Sequence, residues 1–375
     1  MESFRGMAQR LENCVELGSQ EPSQLTNRCE GLGKAHEVWN LLCRKDSMYS
    51  ILDVHFMDGL GPKFAERTIL VDWMMEVCAG ENLHRETFHL AVDYIDRFIS
   101  NMRKLSLPVS VGEFQLIGTT AIHIAAKYEE IYPPKLDEIV TYTDGACTEE
   151  QVRRLELVLL KVLEWELNVV TSLHWLHIFL QLLGGTTDGN SELLVSEDGD
   201  QSGHFTEGTM PVTVPACLRS EFVHMAQVLD ICLMFGECRA FSNRQLAAAI
   251  LFLCVEPASL VEHITGITLH EAGPAMEFAR EIEEWCTERR PAGDPLPYIE
   301  GVRPDDVHNI QRYHSAEIEE LKKSLAQRRH ARAVKREQRR QAVGTTKQVT
   351  TAAPVSGRPK SRPPIREIRL QATSD

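Results

Sequence analysis

Between residues 63 and 134 the apolar positions recur at spacings of three and four, the pattern of helices that each bury one face. Three helices are predicted there. In the first, Ile69, Leu70, Trp73, Met74 and Val77 share a face. The second is expected from about Thr87 to Ile99, with Phe88, Ala91, Val92, Ile95 and Phe98 turned inward. In the third, Leu116, Ile117, Thr120, Ala121, Ile124, Ala125 and Tyr128 repeat the spacing, and Pro133 with Pro134 stops the helix. Gly118, Ala121, Ala125 and Ala126 give this helix a lining of small side chains, as suits a helix that others surround closely.

The pattern continues on both sides. Upstream, residues 34–49 make an amphipathic helix with Val38, Trp39, Leu42 and Cys43 in one stripe. Downstream, 135–143 is a short helix before the turn signal Asp144-Gly145. Thr148 and Gln151 then form a capping box for a helix expected to run to about Leu167, with Val152, Leu155, Leu159, Val162 and Leu163 inward. Further helices are expected over 171–183, 216–234, 242–255 with Ser242 as N-cap, and 274–288. The run Ala247–Ala249 suggests a second surrounded helix.

Between these helices, 184–213 holds six acidic residues, six glycines and no Lys or Arg, and is expected as a solvated loop. Residues 1–33 are polar and patternless, 290–304 is Pro-rich, and 313–340 is a charged helix candidate before a Thr/Pro/Ser/Arg-rich end. The predicted organisation is a disordered segment 1–33, a first helical domain 34–167, a second 168–289 carrying the insert 184–213, and a linker and basic, mostly disordered tail 290–375.

Helical periodicity leaves several charges unexplained. Arg67 and Asp96 lie in apolar helices close to the buried faces, where an unpaired charge is costly, so a structural Arg67–Asp96 pair is expected. Lys127 lies near the end of an apolar helix, and Glu156 lies in the helix that follows. Spacing alone leaves open whether these two face solvent or a partner.

The stretch resembles a cyclin box, and specifically that of the E-type (G1/S) cyclins. Five positions that mark the box in this family fall on Arg67, Asp96, Leu116, Lys127 and Glu156, and all five residue types match. The E-type likeness rests on longer strings: EVWNLLCRKDSMY, EVCAGENLHRETFHLAVDYIDRF, KYEEIYPPKLDEI, TDGACTEEQV and LEWELN. It is strong over 34–181 and weak to about Trp285. The resemblance implies an all-α chain of two tandem five-helix cyclin-box folds with disordered tails.

It also implies a role: a regulatory subunit that binds and activates a G1/S cyclin-dependent kinase. Lys127 and Glu156 would grip main-chain groups around the kinase's mobile regulatory helix, with Tyr128, Leu160 and Trp165 supplying apolar contact. Such a partner shifts the kinase toward its active state by differential affinity. The helix at 34–49 would pack on the box and reach the kinase. Glu66, Ile69, Leu70, Trp73, Glu76 and Gln115 match a shallow groove that docks Arg-x-Leu peptides of substrates and inhibitors. The chain departs from the family at Glu66, where Met is usual. It departs again in the length of the insert 184–213, and in having no Ser-Pro or Thr-Pro dipeptide for phosphorylation-triggered turnover.

Composition narrows the alternatives. The net charge is −14, unevenly spread: 23 Lys and Arg against 46 Asp and Glu up to Val302, then 17 against 8 from Arg303. An acidic body suits a basic protein partner and argues against nucleic acid, which makes a promoter-binding transcription factor with tandem cyclin folds the weaker alternative. A scaffold that has lost kinase contact is opposed by the matching Lys127 and Glu156. The ten cysteines form no CxxC pair and are expected as free thiols; with no local ligand spacing, no metal and no cofactor is expected. No P-loop, GxGxxG, HExxH or GxSxG motif is present, and His174 with His177 sits among Trp175, Ile178 and Phe179, so the chain is expected to act by binding and not as an enzyme. No apolar run spans a bilayer, so no membrane partner is expected. The basic run at 322–340, with Lys322, Lys323, Arg328, Arg329, Lys335 and Arg336, is expected to direct nuclear import.

Overall fold

The computed structural model describes residues 35–49, 64–107, 109–187, 218–289, 310, 313, 316–328 and 334, and among them there is no β-sheet. They fall in two compact units, 1–315 and 316–375.

The first unit is built from α1 (Ala35–Tyr49), α2 (Phe64–Gly80), α3 (Arg85–Lys104), α4 (Phe114–Glu129), α5 (Leu136–Thr141), α6 (Glu149–Val162), α7 (Ser172–Thr187), α8 (Arg219–Met234), α9 (Asn243–Cys254), α10 (Ala258–Thr265) and α11 (Leu269–Arg289). After α1 the helices form two sets of five, α2–α6 and α7–α11. The third helix of each set is the surrounded one: α4 touches α2, α3, α5 and α6, and α9 touches α7, α8, α10 and α11. Small residues permit this. Ala121, Ala125 and Ala126 in α4 and Ala247, Ala248 and Ala249 in α9 are buried. At Gly118 an added Cβ would lie 2.8 Å from Leu70 Cδ1 and 3.3 Å from a Trp73 ring carbon, so only glycine admits α2 this close.

Several boundaries differ from expectation, each for a local reason. Helix α3 is longer at both ends and is buried nearly all round, from Arg85 to Ser100. Its polar side meets the second set instead of water. Helix α6 ends five residues early. Glu164 and Trp165 adopt left-handed φ values of 55° and 61°, and the Trp165 N–H donates back to Leu160 O at 2.9 Å. No glycine marked this stop; each non-glycine residue in that conformation costs about 1–2 kcal/mol.

Helix α7 continues four residues beyond Leu183, and the rest of the acidic insert lies outside the described residues. Helix α11 begins at Leu269 and not at Pro274. Thr268 caps it: its Oγ1 accepts from the Glu271 N–H, and the Glu271 carboxylate accepts from the Thr268 N–H. Helix α10 was not expected at all. Its one sequence signal is Gly266, the left-handed residue after its last turn.

The N-terminal helix α1 is held by the second set. Trp39 meets Trp175 of α7 edge-on at 5.5 Å, and the Arg244 guanidinium lies 5.7 and 5.8 Å from the two rings. Asp46 accepts from Trp175 Nε1 at 3.2 Å and from the Arg244 N–H at 3.1 Å. The expected seat was the first box; the aromatic and charged partners that hold α1 lie on α7 and α9.

A buried charge network joins the two sets. Arg67 on α2 donates from Nε and Nη2 to both oxygens of Asp96 on α3, at 2.7 and 2.8 Å, and neither side chain has any exposure. Arg67 Nη1 reaches the carbonyls of Leu233 and Met234 at 2.9 and 3.3 Å, and the Thr68 hydroxyl also donates to Met234 O. These are final-turn carbonyls of α8, which the helix itself leaves unsatisfied and which favour a cation. Arg239 completes the arrangement with Asp93 at 3.2 Å and Asp96 at 3.4 Å. Arg85 and His89 of α3 both bond the Asp230 carboxylate of α8, at 2.8 and 2.9 Å.

In the second unit, residues 316–328 form α12. Ile318, Leu321 and Leu325 are buried, and Lys322 pairs with Glu319 at 2.8 Å. Arg329, Lys335 and Arg336 lie outside the described residues, as do segments 1–33 and 335–375.

Candidate functional site: two faces joined by one helix

Helix α4 carries one candidate face at each end. At its C-terminal end, Lys127 Nζ forms an ion pair with the Glu156 carboxylate of α6 across the outside of the first set. The lysine stays 41% exposed in this pair. The residues beside the pair in sequence are apolar and open to solvent: Tyr128, Ile131 and Tyr132 after Lys127, Leu157 and Val158 after Glu156, and Trp165 beyond α6. Tyr132 is 86% exposed and Trp165 64%. Large exposed apolar side chains next in sequence to an exposed charged pair make this end of α4 a candidate interaction surface. The left-handed turn at Glu164 and Trp165 holds the indole out at a backbone cost, which fits a site whose geometry is set by function.

Leu160 differs. It is buried at 7% exposure and has little side chain to offer a partner. Leu157 and Val158, which sequence reasoning passed over, face outward on the same helix. The three-four spacing of α6 was the available signal, since it leaves both off the inward stripe of Val152, Leu155, Leu159 and Val162. Below the ion pair, His123 is nearly buried one turn before Lys127. Burial, and then the Lys127 charge, push its imidazole below the usual histidine range.

The loop beneath this face is clamped by a second pair. Glu130, just past α4, accepts from the His84 and Thr87 groups at the start of α3: the His84 N–H at 2.8 Å, the Thr87 hydroxyl at 2.5 Å and His84 Nδ1 at 2.9 Å. The hydrogen bond to Glu130 raises the His84 imidazole above its ordinary value. Burial pushes the Glu130 carboxyl up, but the bonds from His84 and Thr87 outweigh it and hold it below the usual range.

The second face lies at the other end, where α2 crosses the start of α4. Glu66, Ile69, Trp73 and Glu76 succeed one another at spacings of three and four on the outer side of α2. Ile69 is 65% exposed, although its neighbours Leu70, Met74 and Val77 are buried. Trp73 is half-buried and Glu76 exposed. Leu70 and Trp73 cover Gly118, and Gln115 stands one turn earlier on α4. The structure thus brings together an apolar centre, Ile69 and Trp73, with carboxylates at either end. Leu70 forms its floor. An exposed isoleucine beside a half-exposed tryptophan between two acidic residues suits a short peptide that offers an apolar and a basic side chain.

Elsewhere the chemistry is structural. The His174 Nδ1 accepts from the Thr171 N–H, and His177 stacks on Phe222 at 4.4 Å. The seven described cysteines are unbridged. Among the described residues no helix is long and apolar enough to cross a membrane.

Comparison with known proteins agrees with this geometry. The family model for the cyclin N-terminal domain matches residues 37–168, which take in most of α1 and all of α2 to α6. The G1/S-specific cyclin-E of Caenorhabditis elegans is 37% identical over 82% of this chain and 56% of its own length. The G1/S-specific cyclin-E1 of Danio rerio is 35% identical over 73% of this chain and 60% of its own. The G1/S-specific cyclin-E of the sea urchin Hemicentrotus pulcherrimus is 32% identical over 84% of this chain and 70% of its own. The chain therefore spans somewhat over half the length of the first of these relatives. With that identity carried across two thirds of a relative, and with the arginine–aspartate pair and the lysine–glutamate pair in place on two five-helix sets, the chain belongs to the cyclin family, among its E-type members.

Proposed function

We propose that the protein is the regulatory subunit of a G1/S cyclin-dependent Ser/Thr kinase. The observation that carries this reading is the exposed Lys127–Glu156 pair among solvent-facing Tyr128, Ile131, Leu157, Val158 and Trp165. A partner helix laid on this face would exchange main-chain groups with the pair and cover the apolar side chains. A partner that binds only the active arrangement of a kinase shifts its population by that difference in affinity. The protein acts by binding, and the kinase supplies the chemistry. The names of the E-type relatives support the G1/S assignment.

The face at Ile69, Trp73 and Gln115 is the proposed dock for Arg-x-Leu segments of substrates and inhibitors. Glu66 and Glu76 would attract the arginine; Ile69 and Trp73 would receive the leucine. Such a site adds local concentration to the kinase's substrate more than affinity. The basic run 322–340 is the proposed nuclear import signal. A fluorescent fusion lacking it should leave the nucleus, and unchanged nuclear signal would remove that assignment.

The deciding experiment mixes the purified chain with a monomeric G1/S cyclin-dependent kinase and a Ser-Pro substrate. Phosphorylation should rise at least tenfold with the native chain. It should return to the basal level with Lys127→Ala/Glu156→Ala, while the helical circular dichroism stays unchanged. Full activation by the double variant would overturn the reading.

A further inference from the structure

Local spacing argued against a metal, but three helices of the second set bring a donor set together from distant parts of the chain. His224 on α8, Cys254 at the end of α9 and Glu283 on α11 place one nitrogen, one sulfur and one carboxylate oxygen all within 4.8 Å of one another. His224 Nε2 is 3.9 Å from Glu283 Oε1. Thirty residues separate the first two and 29 the next, so no short motif announces the cluster.

We propose that His224, Cys254 and Glu283 bind a zinc-type transition-metal ion that ties α8, α9 and α11 together.

Three features of the donor set support this. The first is charge. A thiolate, a carboxylate and a neutral imidazole together balance a divalent cation. The second is donor type. Sulfur and imidazole nitrogen select zinc and its neighbours over the hard cations calcium and magnesium, which take oxygen. The third is geometry. In a tetrahedral zinc site, ligand atoms lie about 3.3–3.8 Å apart. The observed separations need only a small closure, from side chains on three separate helices. His224 and Cys254 are buried, while the Glu283 side chain keeps 16% exposure. That edge gives the ion its route and leaves a fourth position for water.

The surroundings also orient the donors. The Thr287 hydroxyl, one turn along α11, donates to Glu283 Oε1 at 2.8 Å and lies 3.4 Å from His224 Nε2. Ligating carboxylates in metal sites are themselves hydrogen-bonded, and Thr287 supplies such a bond here. The bland alternative is a histidine–glutamate ion pair with a thiol beside it, and the two readings separate cleanly by experiment.

The full chain is stripped with a chelator and titrated with cobalt(II), followed by its visible bands and by the near-ultraviolet thiolate-to-cobalt charge-transfer band; zinc is then added in competition. One equivalent of cobalt should bind with tetrahedral visible bands and the thiolate band, and zinc should displace it. Cys254→Ser should abolish the thiolate band, and Glu283→Gln, at a partly exposed position, should weaken binding at least tenfold. Cys43→Ser, which removes a thiol on α1, should bind as the native chain does. Absence of saturable one-equivalent binding would overturn the proposal. So would native affinity in both Cys254→Ser and Glu283→Gln, or an equal loss in Cys43→Ser.

Discussion

Replacing Arg67 by methionine tests the charge network that joins the two helix sets. The guanidinium makes two charge-assisted bonds to Asp96, at 2.7 and 2.8 Å, and reaches two carbonyls at the end of α8. Methionine keeps much of the volume and none of these bonds. Each charge-assisted bond contributes about 1.5–3 kcal/mol, so the pair to Asp96 alone is worth roughly 3–6 kcal/mol. Breaking a buried ion pair by removing one partner costs about 3–5 kcal/mol, which agrees. Two compensations keep the loss toward the lower end. Asp96 retains Arg239 at 3.4 Å, and Met234 O retains the Thr68 hydroxyl. The expected loss is therefore about 3–4 kcal/mol, against a native stability of about 5–15 kcal/mol.

For a unit of this size that corresponds to a fall in Tm of roughly 6–16 °C. Asp96→Ala should cost more, because it removes both oxygens that the buried Arg67 guanidinium bonds and leaves Arg239 with Asp93 alone. Urea and thermal unfolding followed by far-ultraviolet circular dichroism measure both. Arg154→Met is the control. Arg154 pairs with Glu150 on the exposed side of α6, where such a pair contributes about 0.3–0.5 kcal/mol. If Arg67→Met were no more costly than Arg154→Met, the network would be incidental to the fold.

Two further outcomes are expected. Trp73→Ala should weaken binding of an Arg-x-Leu peptide by at least tenfold while kinase binding persists, as fluorescence anisotropy and co-purification would show; equal loss of both would mean a damaged fold. The stabilisation from His84 and Glu130 should depend on pH in a set direction. The raised histidine contributes fully below its ordinary value of 6.5 and loses its contribution as pH rises through the folded value. The lowered carboxylate contributes above its ordinary value of 4.5 and loses it on acidification. The stability gap between the native chain and His84→Gln should therefore be widest between pH 4.5 and 6.5 and narrow toward pH 9. A gap that goes on growing as pH rises above 6.5 would refute the assignment.

What the sequence made legible follows from where the apolar pattern is informative. The five-helix outline of the first set, the surrounded α4 and the Arg67–Asp96 pair could all be read, because each rests on spacing within one or two adjacent helices. The second role of Arg67 could not. Its bonds to Leu233 and Met234 cross 166 and 167 residues, and backbone carbonyls carry no sequence signature. Likewise, the polar side of α3 reads as solvent-facing by periodicity; Arg85, His89, Asp93 and Arg97 are buried because a second set of helices covers them. Ile69 shows the opposite case. It lies in an apolar stripe but points outward, and only the packing of its neighbours against α4 tells it apart from Leu70. The end of α6 was missed because its stop relies on two strained residues in place of a glycine. The His224, Cys254 and Glu283 cluster was invisible for the same reason as the α8 contacts: its members meet only in three dimensions.

If the two proposed sites hold, helix α4 would also work as a ruler. Gln115 stands at the end proposed for docking and Lys127 at the end proposed for the kinase, twelve residues apart on one uninterrupted rod, about 18 Å along the axis. Buried on most of its circumference, that rod cannot flex to suit its cargo. A substrate tethered by its docking segment would then meet the kinase across a span that the chain cannot adjust. The number of residues between a substrate's docking segment and its phosphorylated serine or threonine would then become a selection rule: too few could not bridge the gap, and each surplus residue would dilute the gain in local concentration.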